Sequence, residues 1–468
     1  MYIGGEWVDG AGTFVVSNKF TGEPVATVQS ASREQVAQAV QAAASAFARL
    51  RLTPYARYEI LHRAADLVES RRRDFASSIV GESGFTVSDA EVEVSRTVQT
   101  FLLCAEEAKR ITGEVIPMDG TPGQENRIAF TVRHPVGVVC AITPFNSPLN
   151  TVAHKIGPAL AAGNTVVLKP AHQTPLTAAL LCETLAAAGV PAGHLNLVHG
   201  EGSEAGAWLL EEPKIAFYTF TGSTKVGQII QRTIGLRRSQ LELGSISSTI
   251  ICEDADLARA VPRCVNASFR KAGQVCTSVQ RLYVHRAILD GFVNSLVEAT
   301  KKAQIGDPTD PATLVGPMIS IREAERAGAW VDEAVAQGAR LACGGHREGA
   351  LFYPTILVDV SPRMRVMCDE IFAPVISIVP YESLEAAMAE INATPYGLAA
   401  GIFTTNINTA MKAARQLEVG TVHVNETSSS RADVMPYGGV KESGFGREGP
   451  KYAIHEMTDE RLITWSLY

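Results

Sequence analysis

The chain has 468 residues, 46% of them hydrophobic and 19% charged, and a formal net charge of −7. That length exceeds what a single hydrophobic core usually serves, so two or three domains are expected. The acidic balance excludes a broad basic face for nucleic acid, the composition excludes disorder, and no apolar run reaches the length of a membrane span.

In chain order, residues 1–30 predict short strands and turns, with Thr21-Gly22-Glu23-Pro24 as turn chemistry. The first residues lack the charged-then-apolar order of a secretory signal. Ser32 and Gln35 have the spacing of a capping box, and Val36, Ala39, Val40, Ala43 and Phe47 then repeat at helical spacing. Two further helices are expected over 58–80 and 92–111. The period changes at residue 136. Short apolar runs at 136–142, 165–168, 195–198 and 215–220 alternate with helical stretches at 151–162, 176–188 and 205–210. Such alternation predicts an α/β fold, a parallel sheet covered on both faces with its ligand loops at the carboxyl ends of the strands. A second series at 249–252, 279–284, 375–379, 398–403 and 421–424, with helices at 288–302 and 407–416, reads as a second α/β domain. The tail, 456–467, alternates as a strand whose free edge suits pairing with another subunit.

The basic runs Arg71-Arg72-Arg73 and Arg237-Arg238 read as solvated helix or turn charge. Eight scattered cysteines without a C-x-x-C pair argue against a disulfide framework or a zinc knuckle and fit a reducing cytoplasm, and no metal site is expected.

Four loops at strand ends carry residues capable of chemistry. Thr143-Pro144-Phe145-Asn146-Ser147-Pro148 is stiffened by two prolines. Its Asn146 can donate to a developing oxyanion or simply hold its own turn. Lys169-Pro170 sets a lysine at a strand end, to meet a ribose hydroxyl or phosphate or to face solvent. Gly222-Ser223-Thr224-Lys225-Val226-Gly227 opens a helix, either as an anion-binding terminus or as a plain cap, and lacks the Lys-Ser/Thr of a Walker A loop. Ala272-Gly273-Gln274-Val275-Cys276-Thr277 places one cysteine in a polar loop that suits an accessible thiol. Glu242, between Leu241 and Leu243, is either a structural salt-bridge partner or a carboxyl raised by burial towards the range of a general base.

Taken in order, Thr143-Pro144-Phe145-Asn146, Lys169-Pro170, Phe220-Thr221-Gly222-Ser223, Glu242-Leu243-Gly244, Gly273-Gln274-Val275-Cys276, Glu370-Ile371-Phe372 and Pro436-Tyr437-Gly438-Gly439-Val440-Lys441-Glu442-Ser443-Gly444 resemble the aldehyde dehydrogenase superfamily over essentially the whole chain. The resemblance implies a Rossmann-like cofactor domain (1–118 and 138–244), a catalytic α/β domain (245–440) and a small β oligomerisation extension (119–137 and 450–468), assembled as a homodimer or homotetramer. It implies NAD or NADP as cofactor and a small aldehyde as substrate. Cys276 would be the nucleophile, passing through a thiohemiacetal and a thioester; Asn146, with the Cys276 N–H, would form the oxyanion hole; and Glu242 would activate water. Lys155 and Glu448 match positions of a proton relay. Ile142, Phe145, Lys169, His172, Gly222, Ser223, Gly227, Leu243, Glu370 and Phe372 match cofactor positions. His172 stands where an acid is usual, which would remove repulsion of a 2′-phosphate and, if protonated, attract it.

The stretch 426–436 is similar to the branch holding lactaldehyde, non-phosphorylating glyceraldehyde-3-phosphate and phosphonoacetaldehyde dehydrogenases. There Arg431 and Arg96 would suit a carboxylate, sulfonate or phosphonate, or else form structural ion pairs, Asp433 among the partners. Val275, where phosphate-handling relatives often carry Arg, weakens a phosphate reading. Alternatives are a CoA-acylating dehydrogenase, which Glu242 argues against, and a cofactor-independent cysteine esterase, which the cofactor-site matches argue against.

Overall fold

In the computed structural model, which describes residues 1–467, the change of period near residue 136 marks entry into a sheet. Five parallel strands lie in the order Leu195–Leu197, Thr165–Lys169, Val138–Ile142, Ile215–Thr221, Arg238–Glu242. Short antiparallel strands flank them, Tyr2–Ile3 on one side and Gly444–Phe445 on the other. From Val138–Ile142 the chain adds two strands on one side and then returns to add two on the other. The order therefore reverses between Val138–Ile142 and Ile215–Thr221, and a crevice opens beyond their carboxyl ends. The loops carrying Asn146 and Gly222 leave from those two ends. Helix Asn150–Ala162 is buried along its whole length, and its first residues, Asn150 and Thr151, line the crevice.

The second sheet runs Arg340–Cys343, Thr355–Val358, Val375–Tyr381, Arg281–His285, Ser248–Ile251, Ala399–Phe403, Thr421–Val424, parallel except at Arg340–Cys343. Its apolar face packs on helices including Leu257–Phe269 and Leu289–Lys301. A third sheet pairs Thr458–Ser466 with Arg127–Pro135 along its full length, and Val115–Ile116 beyond it. The outer edge of Thr458–Ser466 has no partner among the described residues, and Leu462, Ile463 and Trp465 are exposed. The fold is thus α/β, with a Rossmann-like parallel sheet, a second α/β layer and a small β extension.

Several boundaries differ from the sequence expectation, each for a local reason. The Ser32–Gln35 capping box is present ahead of Arg33–Arg49. The helix expected over 58–80 is two, Pro54–Ser70 and Arg72–Ser83, because Arg71 leaves helical geometry at φ −101°, ψ 20°. The helix expected from 92 starts at Val87, since Thr86 accepts the Asp89 N–H as its cap. The strand expected from 136 begins at Val138, because Gly137 sits at φ +124° and its carbonyl accepts the Thr165 N–H. Helix Ile321–Ala336 and the strands Arg340–Cys343 and Thr355–Val358 have no counterpart in the sequence expectation. The basic runs are mixed: Arg73 and Arg238 are exposed as expected, whereas Arg72 pairs with Glu69 and Glu91, and Arg237 donates to the Leu210 and Glu212 carbonyls. Among the described residues no helix is long and apolar enough to cross a membrane.

Candidate active site

The loop bearing Cys276 is held in an unusual backbone path. Helix Leu257–Phe269 gives way to Lys271 and Ala272 at φ 53° and 52°, then Gly273 at φ 68°. A Cβ on Gly273 would sit 2.2 Å from the Ala373 carbonyl oxygen, so only glycine fits. Lys271 locks the path: its Nζ donates to Glu93 Oε2 at 2.6 Å and to the Asn146 carbonyl at 2.9 Å. The other Glu93 oxygen accepts from Ser147 Oγ and from the Leu149 and Asn150 N–H groups, at 2.9, 2.9 and 3.1 Å. Burial works against that carboxylate, but Lys271 holds it below the usual range. One buried ion pair thus ties the Asn146 loop to the cysteine loop, and Asn146 Nδ2 completes the tie by donating to the Gln274 carbonyl at 2.9 Å.

Between these loops lies a cavity of about 550 Å³. Its wall brings together Cys276, Glu242, Asn146, Glu448, Arg96 and Arg431, and, towards the switch point, Ile142, Phe145, Gly222, Ser223, Leu243, Glu370 and Phe372. Cys276 is only partly buried, whereas Cys104, Cys140, Cys182, Cys252 and Cys264 are enclosed. Its Sγ lies 2.9 Å from Tyr437 Oη, and that hydroxyl donates to Glu242 Oε1 at 3.4 Å. Burial, and then the Glu448 charge, push the Glu242 carboxyl up to about 7. Burial and then Glu242 push the Cys276 thiol well above its ordinary range. The protein supplies no acceptor for the Cys276 N–H or for the second Asn146 amide hydrogen among the described residues.

Lys155 lies behind the wall. Its Nζ donates to Glu448 Oε1 at 3.0 Å and to Thr219 Oγ1 at 3.1 Å. Glu448 also accepts from Thr221 Oγ1 at 3.1 Å and from Arg431 at 2.8 Å. Burial opposes its charge, but Lys155 and then Arg431 hold the carboxyl well below the usual range.

Of the two readings of Arg96 and Arg431, both residues form the ion pairs of the structural one. Arg431 gives one nitrogen to Glu448 and lies over the Tyr437 ring at 3.8 Å, its buried Nε having no partner among the described residues, and Arg96 is bidentate on Asp433 at 2.8 and 3.2 Å. Asp433 also takes Asn150 Nδ2 and His154 Nε2. Sequence reading misses Arg270. It lines the same cavity, donates to Ser429 Oγ at 2.8 Å and has no carboxylate within ion-pair distance among the described residues. Locally, Phe269-Arg270-Lys271 reads as a basic helix end. Nothing in that pattern shows that Lys271 turns inward to Glu93 while Arg270 meets Ser429.

At the other end, Lys169 is buried and meets only the Pro170 carbonyl, at 3.3 Å, and burial lowers its ammonium to about 8. His172 is not a free cation. Its ring stacks on Phe14 at 3.9 Å, its Nε2 lies 3.3 Å from Glu201, and burial pushes it below its usual range against the pull of that carboxylate. Gly227 sits under Leu243, whose Cδ2 a Cβ there would meet at 2.4 Å, rather than on the cavity wall. Ser223 caps helix Thr224–Ile234, and Glu370 accepts the Ser245 N–H at 2.9 Å, with burial pushing its carboxyl up to about 7. Phe145 and Phe372 meet edge to face at 5.9 Å. These residues fit a dinucleotide: a buried ammonium with donors unspent, a glycine-opened helix N-terminus at the switch point and a buried carboxyl beyond it.

The family model described as Aldehyde dehydrogenase family matches residues 7–463. The chain belongs to that family. Among its aldehyde dehydrogenase relatives, the 3-sulfolactaldehyde dehydrogenase of Priestia aryabhattai is 50% identical over 467 residues, covering 100% of this chain and 98% of the relative. The lactaldehyde dehydrogenase of Methanococcus aeolicus is 38% identical over 468 residues, covering 99% of both. Among solved structures, glyceraldehyde-3-phosphate dehydrogenase GapN from Methanocaldococcus jannaschii, complexed with NADP, superposes with a TM-score of 0.93 at 39% identity, covering 97% of this chain and 99% of that one. The protein is an aldehyde-oxidising oxidoreductase, its cofactor is NAD or NADP, and the branch is the one its sequence resembles.

Proposed function

We propose that this aldehyde dehydrogenase oxidises a small anionic aldehyde to its carboxylic acid through a thioester on Cys276. The observation that carries the proposal is the convergence of Cys276, Glu242 and Asn146 on one cavity whose wall also holds Arg270, which has no ion-pair partner among the described residues. Sulfur attack converts the carbonyl carbon into a tetrahedral hydride donor, and Asn146 Nδ2 and the Cys276 N–H meet the oxygen as it becomes negative. NAD or NADP, when bound, would supply the acceptor for that hydride. Glu242 then takes a proton from the water that hydrolyses the thioester, and a buried base beside the sulfur favours hydrolysis over transfer to CoA. Glu448, clamped by Lys155 and Arg431, acts in this scheme as a fixed anion that raises Glu242, not as a carrier of protons.

The anionic group is the part the Priestia relative's name supports: a sulfonate carried by the aldehyde. Arg270, with Ser429 Oγ orienting it, is the guanidinium of this wall that forms no ion pair with a carboxylate among the described residues, unlike Arg96 and Arg431. Arg270→Met is expected to lower kcat/KM for a sulfonated aldehyde by about 10–100-fold, the worth of a charge-assisted contact, through KM, while a neutral aldehyde of the same length changes little. Equal losses for both substrates would remove Arg270 from anion recognition.

Dinucleotide choice follows from the other end. The ribose next to the adenine lies at the end of the strand beside the switch point in folds of this kind, here at Lys169. Glu201, 3.3 Å from His172 and close enough for its charge to act on Lys169, would put a negative charge beside the residue that would hold the adenosine ribose. We infer a preference for NAD, in place of the phosphate attraction that His172 alone would imply. Glu201→Gln is expected to tighten NADP binding by about tenfold, a 1.4 kcal/mol change, with little effect on NAD, measured as Kd by fluorescence titration. An unchanged NADP Kd would clear Glu201 of that role.

A further inference from the structure

Tyr437 places a hydroxyl between the sulfur and the carboxyl of this site. Its Oη lies 2.9 Å from Cys276 Sγ and donates to Glu242 Oε1 at 3.4 Å. A single orientation satisfies both contacts, with the thiol donating to Oη and Oη donating to the carboxylate. The position is pre-set by the backbone: the Tyr437 N–H donates to the Glu448 carbonyl at 3.1 Å, and the Glu448 N–H returns to the Tyr437 carbonyl at 2.7 Å. The ring is buried, and the Arg431 guanidinium lies 3.8 Å from its centroid. That charge steadies electron density on the phenol oxygen while it exchanges protons.

We propose that Tyr437 is a catalytic proton carrier for the nucleophile, taking the Cys276 thiol proton on Oη as it passes its own proton to Glu242. The proposal rests on the reading of Cys276 as nucleophile. In the step, the S–H bond breaks as the S–C bond to the aldehyde forms. Tyrosine exchanges one O–H for another and is unchanged. The carboxylate becomes a carboxylic acid, and the negative charge it held appears on the former carbonyl oxygen. No oxidation occurs until hydride leaves. The step answers a difficulty of the site: burial and the nearby Glu242 charge keep this thiol from ionising unaided. Glu242 consequently acts twice, and must release the first proton before it can accept one from water.

The test is alkylation of Cys276 by iodoacetamide in the full-length, dinucleotide-free protein, followed at that residue by peptide mass spectrometry between about pH 6 and 10, a range spanning the raised carboxyl and the ordinary thiol value. It needs no aldehyde turnover, so a failure here is separable from a failure of the dehydrogenase reading, which aldehyde-dependent NAD(P)H formation by the wild type decides. The groups that face the sulfur or its partners, and so enter the profile, are Glu242, Tyr437, Glu448, Arg431, Lys155 and Arg270. Tyr437→Phe keeps the ring and its packing and removes Oη alone. The expected result is a fall in alkylation rate of about tenfold or more near neutral pH, below what a positioned proton acceptor contributes at full strength, with the rise of the profile moved to higher pH. Glu242→Gln removes the acceptor but also the charge that raises the thiol, so it is expected to show a smaller fall, and the double variant no greater a fall than Tyr437→Phe alone, because both remove the same path. Tyr437→Phe with a wild-type rate and pH profile would overturn the proposal, as would additive losses in the double variant. A fall in kcat without any change in alkylation would reduce Tyr437 to packing.

Discussion

Cys276→Ala is expected to stop aldehyde-dependent NAD(P)H formation, a loss of about 10⁴-fold or more, with dinucleotide binding kept. The size follows from what the sulfur supplies. An aldehyde carbon has no electron pair pushing hydride away until a nucleophile has added to it, and free water is the poor alternative. No other cysteine can stand in. Cys104, Cys140, Cys182, Cys252 and Cys264 are enclosed in the cores, Cys368 bonds the Pro362 carbonyl, and Cys343 faces that of Pro354, all outside the cavity. The substitution also leaves the site standing. Tyr437 keeps its bond to Glu242 and its backbone pairing with Glu448. The loop keeps its own anchors, which do not involve the sulfur: Lys271 bonded to Glu93, and Gly273 packed against Ala373. Stopped-flow absorbance of the reduced nicotinamide checks the result. An alanine variant within about tenfold of wild type, a barrier change of only about 1.4 kcal/mol, would end the covalent reading.

Much of this site can be read from the sequence because its parts are local. A run such as Thr165–Lys169 announces a buried strand by its own side chains, and the residue that ends it must emerge at the sheet's carboxyl edge. The loops with Asn146 and Gly222 can therefore be assigned to carboxyl strand ends before any distance is known, whereas the Cys276 loop runs from helix Leu257–Phe269 into the strand Arg281–His285 and does not follow that rule. Partners distant in sequence cannot. Glu93 lies on helix Val87–Ala108 and reaches Lys271 in a turn of left-handed residues, a pairing that no spacing encodes. The same limit makes Arg96 and Arg431 look available, since Asp433 and Glu448 cancel them only in three dimensions. It also hides Arg270, which stands out only because its neighbours are paired with carboxylates and it is not. Helix starts are misplaced for a smaller reason. Thr53 and Thr86 cap their helices ahead of the first strongly apolar repeat, so periodicity alone begins too late.

Glu242→Gln is expected to separate the two halves of the reaction. Steady-state turnover should fall by about 10²–10⁴-fold, the worth of a general base, while the first turnover falls less and leaves a burst of about one NAD(P)H per site. The asymmetry comes from the two nucleophiles. A thiol has a small thiolate fraction even without its proton acceptor, whereas water at neutral pH has no comparable ionised form to attack the thioester. Glutamine keeps the acceptor for the Tyr437 hydroxyl, so packing is preserved while basicity is lost. The acyl-enzyme should then accumulate, visible as a mass increment on Cys276, and hydroxylamine, which needs no base, should restore turnover. The pH dependence has a definite sign. Glu242 works only when ionised, and its carboxyl is raised to about 7 by burial and by Glu448, so wild-type kcat should climb through about pH 7 and fall roughly tenfold per unit below it. The glutamine variant should lack that step. Loss of burst and mass increment together would place Glu242 before the thioester rather than after it, and an unaltered pH profile in the variant would show that the titrating base is another group.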